Sequence, residues 1–273
     1  MEIHTVPLLS DNYAYILVDA ASREAAVVDP AEPQKVLDAV AAVPGGCTLT
    51  TVLCTHNHWD HAGGNEELAR RVEGLAVIGG RGDGAAGVTR EVGEVDSGDL
   101  RVGGLSLRVI ETPCHTVGHV CFFVEAGGRR AVFTGDTMFV GGCGNFNTGT
   151  PAMMHAAFRK LVALPGDTEA YVGHEYTVKN LQFAALVEPA SEAVAARLAW
   201  AIGKREAGEP TSPSTIAFEM ATNPFVRVAE PAVRAWAGTQ DDVATMKRVR
   251  EGKSDGGSWY TPQHKAADPD ARL

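Results

Sequence analysis

The stretch THNHWDH, residues 55–61, sets three histidines and an aspartate within six consecutive positions: His56, His58, Asp60 and His61. In a helix His56 and His58 would point about 200° apart and could not share an ion, whereas alternate residues of an extended segment fall on one side. The motif is therefore expected as a loop leaving the strand TTVLCT, with Gly63 and Gly64 permitting a sharp turn. NEELARRV then begins a helix, with Asn65 near its cap. Imidazole and carboxylate suit divalent transition metals, and no convergent cysteine pair points to a closed structural zinc site. Four ligands from one loop exceed the need of one ion, so two ions are expected.

Further ligands are available at the ends of later strands. His115 follows LSLRVIETPC, Asp136 follows AVFTG, and His174 follows TEAYVG, which completes a set of seven. Ligands far apart in sequence but gathered at one sheet edge are how a rigid scaffold aims side chains into a cavity. His119 is separated from His115 by the turn at 116–118 and is read as a histidine that supports a ligand or the structure rather than as a ligand, and His4, His155 and His264 as surface or satisfied polar residues. Asp29, ending EAAVVDP, either orients a ligand histidine or simply starts the turn before Pro30.

Up to about residue 174 the chain reads as short strands (13–19, 24–29, 48–55, 105–112, 120–126 and 131–136) interleaved with helices at 33–42, 64–73 and 151–163. That alternation implies a layered α/β core. Beyond residue 176 apolar residues recur at three and four spacing and strand runs disappear, so residues 1–174 and 175–273 are expected as a catalytic and a smaller, mainly α-helical region. Pro189, Pro210, Pro213, Pro224 and Pro231 punctuate the second. Residues 254–273 read as a loosely held tail with Trp259 and Tyr260 as its anchors. A net charge of −10 opposes nucleic-acid phosphates, and any acidic ligand needs local basic anchors. Five cysteines without a C-x-x-C pair fit reduced thiols, and no apolar run is long enough for a membrane span, so a cytoplasmic protein with no obligate protein partner is the default.

THNHWDHAGGN, TPCHTVGH, FTGDTMFVGGCG and VGHEYTVKNLQFA together resemble the metallo-β-lactamase superfamily. The GGCG run, GHEYTVKN, GEPTSPST, NPF and MKRVREGK are similar to one branch of it, glyoxalase II or hydroxyacylglutathione hydrolase. The resemblance implies an αββα sandwich followed by a helical domain. It implies one ion on His56, His58 and His115, a second on Asp60, His61 and His174, and Asp136 bridging them. Zinc is the first expectation for both, with iron or manganese as alternatives. Two such ions share a water and make a hydroxide available at neutral pH, the expected nucleophile toward a carbonyl. A thiolate, with a conjugate acid of pKa about 8.5, leaves with little protonation, which favours a thioester over an amide; a bound water or Asp60 remains as proton donor.

The implied reaction is hydrolysis of S-(2-hydroxyacyl)glutathione thioesters such as S-D-lactoylglutathione. By the same resemblance Arg250 and Lys253 grip the glycine end of glutathione and Tyr176 contacts the peptide. After GGCG, however, the family pattern has a basic residue and, two positions on, an aromatic, where this chain has Asn145 and Asn147. These two are placed in the substrate site with the thiol carrier left open. Other readings are a hydrolase of another carrier, a lactone or a β-lactam, and a metal-binding scaffold without activity. A persulfide dioxygenase of the superfamily uses a single iron, against the complete second set here.

Overall fold

A computed structural model describes residues 1–254 and 258–272. Two six-stranded sheets form its centre. The first runs in sequence order through β1 (Glu2–Leu8), β2 (Asn12–Val18), β3 (Glu24–Val28), β4 (Thr48–Cys54), β5 (Ala76–Gly80) and β6 (Arg90–Val92), antiparallel up to β3 and parallel beyond it. The second contains β7 (Arg101–Val102), β8 (Leu105–Glu111), β9 (Val120–Ala126) and β10 (Arg129–Gly135). After a small hairpin of β11 (Met138–Phe139) and β12 (Gly142–Cys143), it is completed by β13 (Glu169–Val172), parallel to β10, and β14 (Ser214–Thr215).

Strand periodicity explains the layering. Tyr13, Tyr15 and Leu17 of β2 enter the core between the sheets, while Ala14, Ile16 and Val18 enter the layer outside the first sheet. That outer layer is closed by α1 (Pro33–Ala41) through Val36 and Val40, and, beyond the short α2 (Trp59–Ala62), by α3 (Asn65–Arg71) through Leu68. The outer face of the second sheet is covered by α4 (Pro151–Val162) through Met154, Ala157, Phe158 and Leu161. The result is the helix–sheet–sheet–helix arrangement expected from sequence.

The remaining helices are α5 (Thr177–Val187), α6 (Glu192–Glu206), α7 (Ile216–Thr222), α8 (Pro231–Ala237), α9 (Asp242–Ser254) and α10 (Pro262–Ala266). Phe183 of α5, Val233 of α8 and Met246 and Val249 of α9 share one core with α4, so the helical region packs directly on the sandwich. Strand structure does not stop at residue 176. β14 pairs antiparallel with β13, Ala170 opposite Ser214, and two residues are too short to leave a periodic pattern.

The tail is held through Trp259, one of its two expected anchors, and through an ion pair that was not expected. Trp259 donates Nε1–H to Lys253 O at 3.0 Å and leans on the Phe183 ring at 5.2 Å, and Asp270 accepts from Arg205 Nε at 2.9 Å. The part of the expectation that falls on residues 255–257 and 273 lies outside the described residues. Among the described residues no helix is long and apolar enough to cross a membrane.

Candidate metal centre and substrate cavity

β4 ends at Cys54, β10 at Gly135 and β13 at Val172, which delivers His56, Asp136 and His174 to one edge of the sandwich. Backbone bonds close that edge: Val120 N–H donates to Thr55 O, Gly173 N–H to Gly135 O and Tyr13 N–H to Gly173 O, at 2.9–3.0 Å. Gly135 sits at φ +46°, and a Cβ there would meet Thr55 Oγ1 at 2.4 Å and His119 Nε2 at 2.9 Å. Only glycine lets the strand turn so close to the histidines.

The 55–61 motif is extended only as far as His58. From Trp59 the chain turns into α2, with Ala62 N–H donating to His58 O at 2.8 Å, so Asp60 and His61 are presented by a helical turn rather than by the expected loop. Gly64 keeps helical dihedrals, and it is glycine for space: an added Cβ would lie 1.7 Å from Pro30 O. Gly64, not Asn65, occupies the cap position of α3, and Asn65 Nδ2 donates to Ala86 O instead.

Seven side chains converge. His58 Nδ1 lies 3.0 Å from both His56 Nε2 and His115 Nε2, and His61 Nε2 lies 3.2 Å from His174 Nε2. Asp60 Oδ2 is 3.8 Å from His61 Nε2 and 3.5 Å from His174 Nε2. Asp136 stands between the two groups, with Oδ2 at 3.4 Å from His115 Nε2 and from His174 Nε2, and Oδ1 at 3.3 Å from His61 Nε2. Potential donor atoms of His56, His58 and His115 gather within 4.8 Å of one another, as do those of Asp60, His61 and His174.

These residues fit a pair of cations. Nitrogens about 2.0–2.1 Å from a tetrahedral ion lie roughly 3.3 Å apart, close to the separations observed. Asp136 Oδ1 is buried and has no hydrogen-bond partner, a costly state for a carboxylate oxygen unless a cation meets it.

The ring orientations agree with this. Asp29, itself at φ +52°, accepts from His61 Nδ1 at 3.0 Å and also holds Thr55 through N–H and hydroxyl at 2.8 and 2.7 Å, so it does orient a histidine. His174 Nδ1 donates to Asp11 Oδ1 at 2.8 Å, and His115 Nδ1 to the Asn145 carbonyl at 2.9 Å. In each case the Nδ1 proton is committed and Nε2 faces the cluster with its lone pair. His119 contacts Thr112 and Thr137 hydroxyls through Nδ1, and its Nε2 accepts from Asp136 N–H at 3.2 Å, so it is a structural histidine.

Burial and neighbouring charges shift the groups of the cluster in opposite directions. Burial holds His56 well below the ordinary histidine range, and burial also lowers His115 against the pull of Asp136. Burial acts the same way on His61 and His174, but Asp136, helped by Asp29 at His61 and by Asp11 at His174, outweighs it; His61 lies well above the usual range and His174 at about 9. For Asp136, burial would raise the carboxyl, yet His61 and His174 hold it well below the ordinary aspartate value.

A cavity of about 280 Å³ opens over the cluster. His115 and Asp136 of the cluster line it together with Tyr176, Arg250 and Lys253. Tyr176 stacks on His174, 5° from parallel at 4.7 Å. Arg250 reaches the cavity from α9 by donating to Cys143 O at 2.9 Å, and Lys253 donates to Lys179 O at 3.1 Å. Asn145 lines the cavity, whereas Asn147 is exposed and is not among its lining residues. Asp11, Asn12 and Lys179 were not singled out by the sequence. Asn12 Nδ2 donates to Asp60 Oδ2 at 3.1 Å.

Residues 10–174 match the family model of the metallo-β-lactamase superfamily, and residues 175–255 match the model described as hydroxyacylglutathione hydrolase C-terminus. The relative named hydroxyacylglutathione hydrolase cytoplasmic from Arabidopsis thaliana is 45% identical over 258 residues, covering 93% of this chain and 98% of the relative. The hydroxyacylglutathione hydrolase of a Synechococcus strain is 42% identical, covering 93% and 99%. Among solved structures, ETHE1 from Myxococcus xanthus superposes with a TM-score of 0.64 at 26% identity, covering 100% of this chain and 98% of its own. With both matched segments in order along the chain and relatives aligned over nearly their full length, the chain belongs to the hydroxyacylglutathione hydrolases, the glyoxalase II branch of the metallo-β-lactamase superfamily.

Proposed function

We propose that this protein hydrolyses S-(2-hydroxyacyl)glutathione thioesters such as S-D-lactoylglutathione to a 2-hydroxy acid and glutathione, in the cytoplasm, using two divalent ions, zinc foremost. The observation that carries this reading is the cavity lined both by His115 and Asp136 of the histidine–aspartate cluster and by Arg250 and Lys253. It puts groups suited to carbonyl chemistry beside cations suited to a carboxylate. Residues 1–174 would bind the ions and residues 175–273 would supply most of the grip on the thiol carrier.

His56, His58 and His115 would hold one ion, Asp60, His61 and His174 the other, with Asp136 between them. Bound cations of this kind acidify water and polarise a carbonyl oxygen. The protein's own part is orientation. Asp29, Asp11 and the Asn145 carbonyl keep protons on Nδ1 and off the inward-facing Nε2 atoms. Asn12 fixes the Asp60 carboxylate through its side-chain amide. Arg250 and Lys253 would anchor the glycyl carboxylate, the Tyr176 ring on His174 would flank the peptide, and Asn145 would offer a neutral hydrogen bond. The departing thiolate, with a conjugate-acid pKa of about 8.5, needs little help from a proton donor.

The test is release of thiol from S-D-lactoylglutathione by the metal-loaded protein, with His58→Ala as comparison. Turnover should fall by about two orders of magnitude or more in the variant while circular dichroism stays that of a folded protein. Near-normal turnover in His58→Ala would remove it from the ligand set, and no thiol release by the wild type would end the proposal.

A further inference from the structure

Asp83 stands in a tight turn beyond β5, between Gly82 at φ +71° and Gly84 at φ +72°. β5 runs parallel to β4, so this turn leaves the first sheet at the same edge as the segment that carries His56 and His58. There it bonds two segments at once. The Asp83 carbonyl accepts from Asn57 Nδ2 at 2.6 Å, and Asn57 lies between His56 and His58. Asp83 Oδ1 accepts from Gly118 N–H at 2.8 Å, three residues beyond His115. The second contact is main chain against main chain. A Cβ on Gly118 would lie 2.6 Å from Asp83 N and 2.7 Å from Arg81 O, and one on Gly80 would lie 1.8 Å from Gly118 O.

His56, His58 and His115 are the residues whose donor atoms gather in one of the two groups of the cluster. Their aim depends on the backbone more than that of the other group. Carboxylates hold Nδ1 of His61 and of His174, whereas Nδ1 of His56 meets the Thr55 hydroxyl at 3.0 Å and Nδ1 of His115 a backbone carbonyl at 2.9 Å. Asp83 is 3% exposed, and its Oδ2 is buried with no hydrogen-bond partner. Burying a carboxylate is costly, so an apolar side chain would fill the space better. What the carboxylate contributes at this position is the bond to Gly118 N–H.

We propose that Asp83 is a positioning residue for one ion of the pair: by tying the backbone at Gly118 to a turn that also holds Asn57, it sets the spacing of His115 from His56 and His58. The inference rests on the two-ion reading of the cluster.

Zinc release rather than turnover tests it. The zinc-loaded wild type, Asp83→Ala, Asp83→Asn and Asn57→Ala are titrated with a coloured chelator of known affinity. The two release steps are assigned with His58→Ala and His174→Ala, each of which should lack one of them. In Asp83→Ala the step absent from His58→Ala should show about tenfold lower zinc affinity, while the step absent from His174→Ala stays within about threefold of wild type. Asp83→Asn keeps an acceptor for Gly118 N–H and should stay within about threefold at both steps. Asn57→Ala changes an exposed residue, so it carries the test even if Asp83→Ala does not fold, and it should weaken the same step. Equal weakening of both steps, wild-type affinity in Asp83→Ala or Asn57→Ala, or an Asp83→Asn as weak as Asp83→Ala overturns the proposal. A wild type with a single release step contradicts the two-ion reading itself; the role of Asp83 then stands if that step is lost in His58→Ala and weakened in Asp83→Ala, and falls otherwise.

Discussion

Asp11 is the side chain whose role is most completely set by three-dimensional structure. It lies in the turn between β1 and β2, and an isolated bridge between Asn12 and His174 brings it to the His174 ring, where it accepts from Nδ1 at 2.8 Å. Residues that orient a metal ligand typically cost 10–100-fold in metal affinity or activity when removed. Asp11→Ala should therefore lower affinity for one of two ions by about that factor, seen as a split between two steps in a metal titration; two ions of unchanged affinity would assign Asp11 to turn formation alone. His56, His58, Asp60 and His61 stand in contrast. Those residues were legible because neither packing nor turn formation calls for so compact a run of ligands, and His115, Asp136 and His174 because each ends a recognisable strand. Asp11 and Asn12 carry no local signal, since an aspartate–asparagine pair in a turn has an ordinary reason to be there.

Among elements, six strands were legible, whereas the shortest ones, and also the longer β1 (Glu2–Leu8) and β5 (Ala76–Gly80), were not among those expected. β2 through β4 and β8 through β10 appear within a residue or two of their expected limits. α2, β7, β11, β12 and β14 span four residues or fewer, and their existence depends on partners elsewhere. Turns show the same dependence. Asp19, after β2, accepts from Ala21 N–H and the Ser22 hydroxyl and reaches across to Gly104 N–H at 2.9 Å, tying the β2–β3 turn to the β7–β8 turn of the other sheet. The Gly104 bond, then Ser22 and Ala21, hold its carboxyl at about 2. The unfolded value is about 3.9. A carboxyl with a depressed folded-state pKa contributes stability that is present above the unfolded value and is lost as pH falls through the folded one. Asp19→Asn should accordingly lower the melting temperature at neutral pH, with the gap to wild type closing from about pH 4 down to about pH 2. A gap constant across that range would exclude the charge as its source.

At the scale of the molecule, the helical region does more than provide Arg250 and Lys253. Asn223, fully buried, donates to Gly142 O at 2.9 Å and to Phe139 O at 3.3 Å, and Glu219 Oε2 accepts from Gly141 N–H at 2.9 Å. Together they clamp the β11–β12 hairpin, whose Phe139 and Cys143 line the cavity. The NPF run was legible as a mark of the family, but its purpose was not, because the bonded partners lie some 80 residues away. Asn223→Ala strands buried carbonyls and should cost about 2 kcal/mol or more of stability in urea melts. It should also raise KM while leaving metal content intact; wild-type KM would detach the clamp from the cavity. A layered α/β core and the helical character of the C-terminal region could be read from periodicity and the αββα order from the family resemblance, whereas the docking of one region on the other could not be read from periodicity, since each pattern is satisfied locally. Whether seven side chains from both sheets hold two ions is decided by metal content per chain, measured by elemental analysis of the wild type and of His174→Ala. Two ions are expected in the wild type and one in the variant; a single ion in the wild type, or two in both, would contradict the paired site.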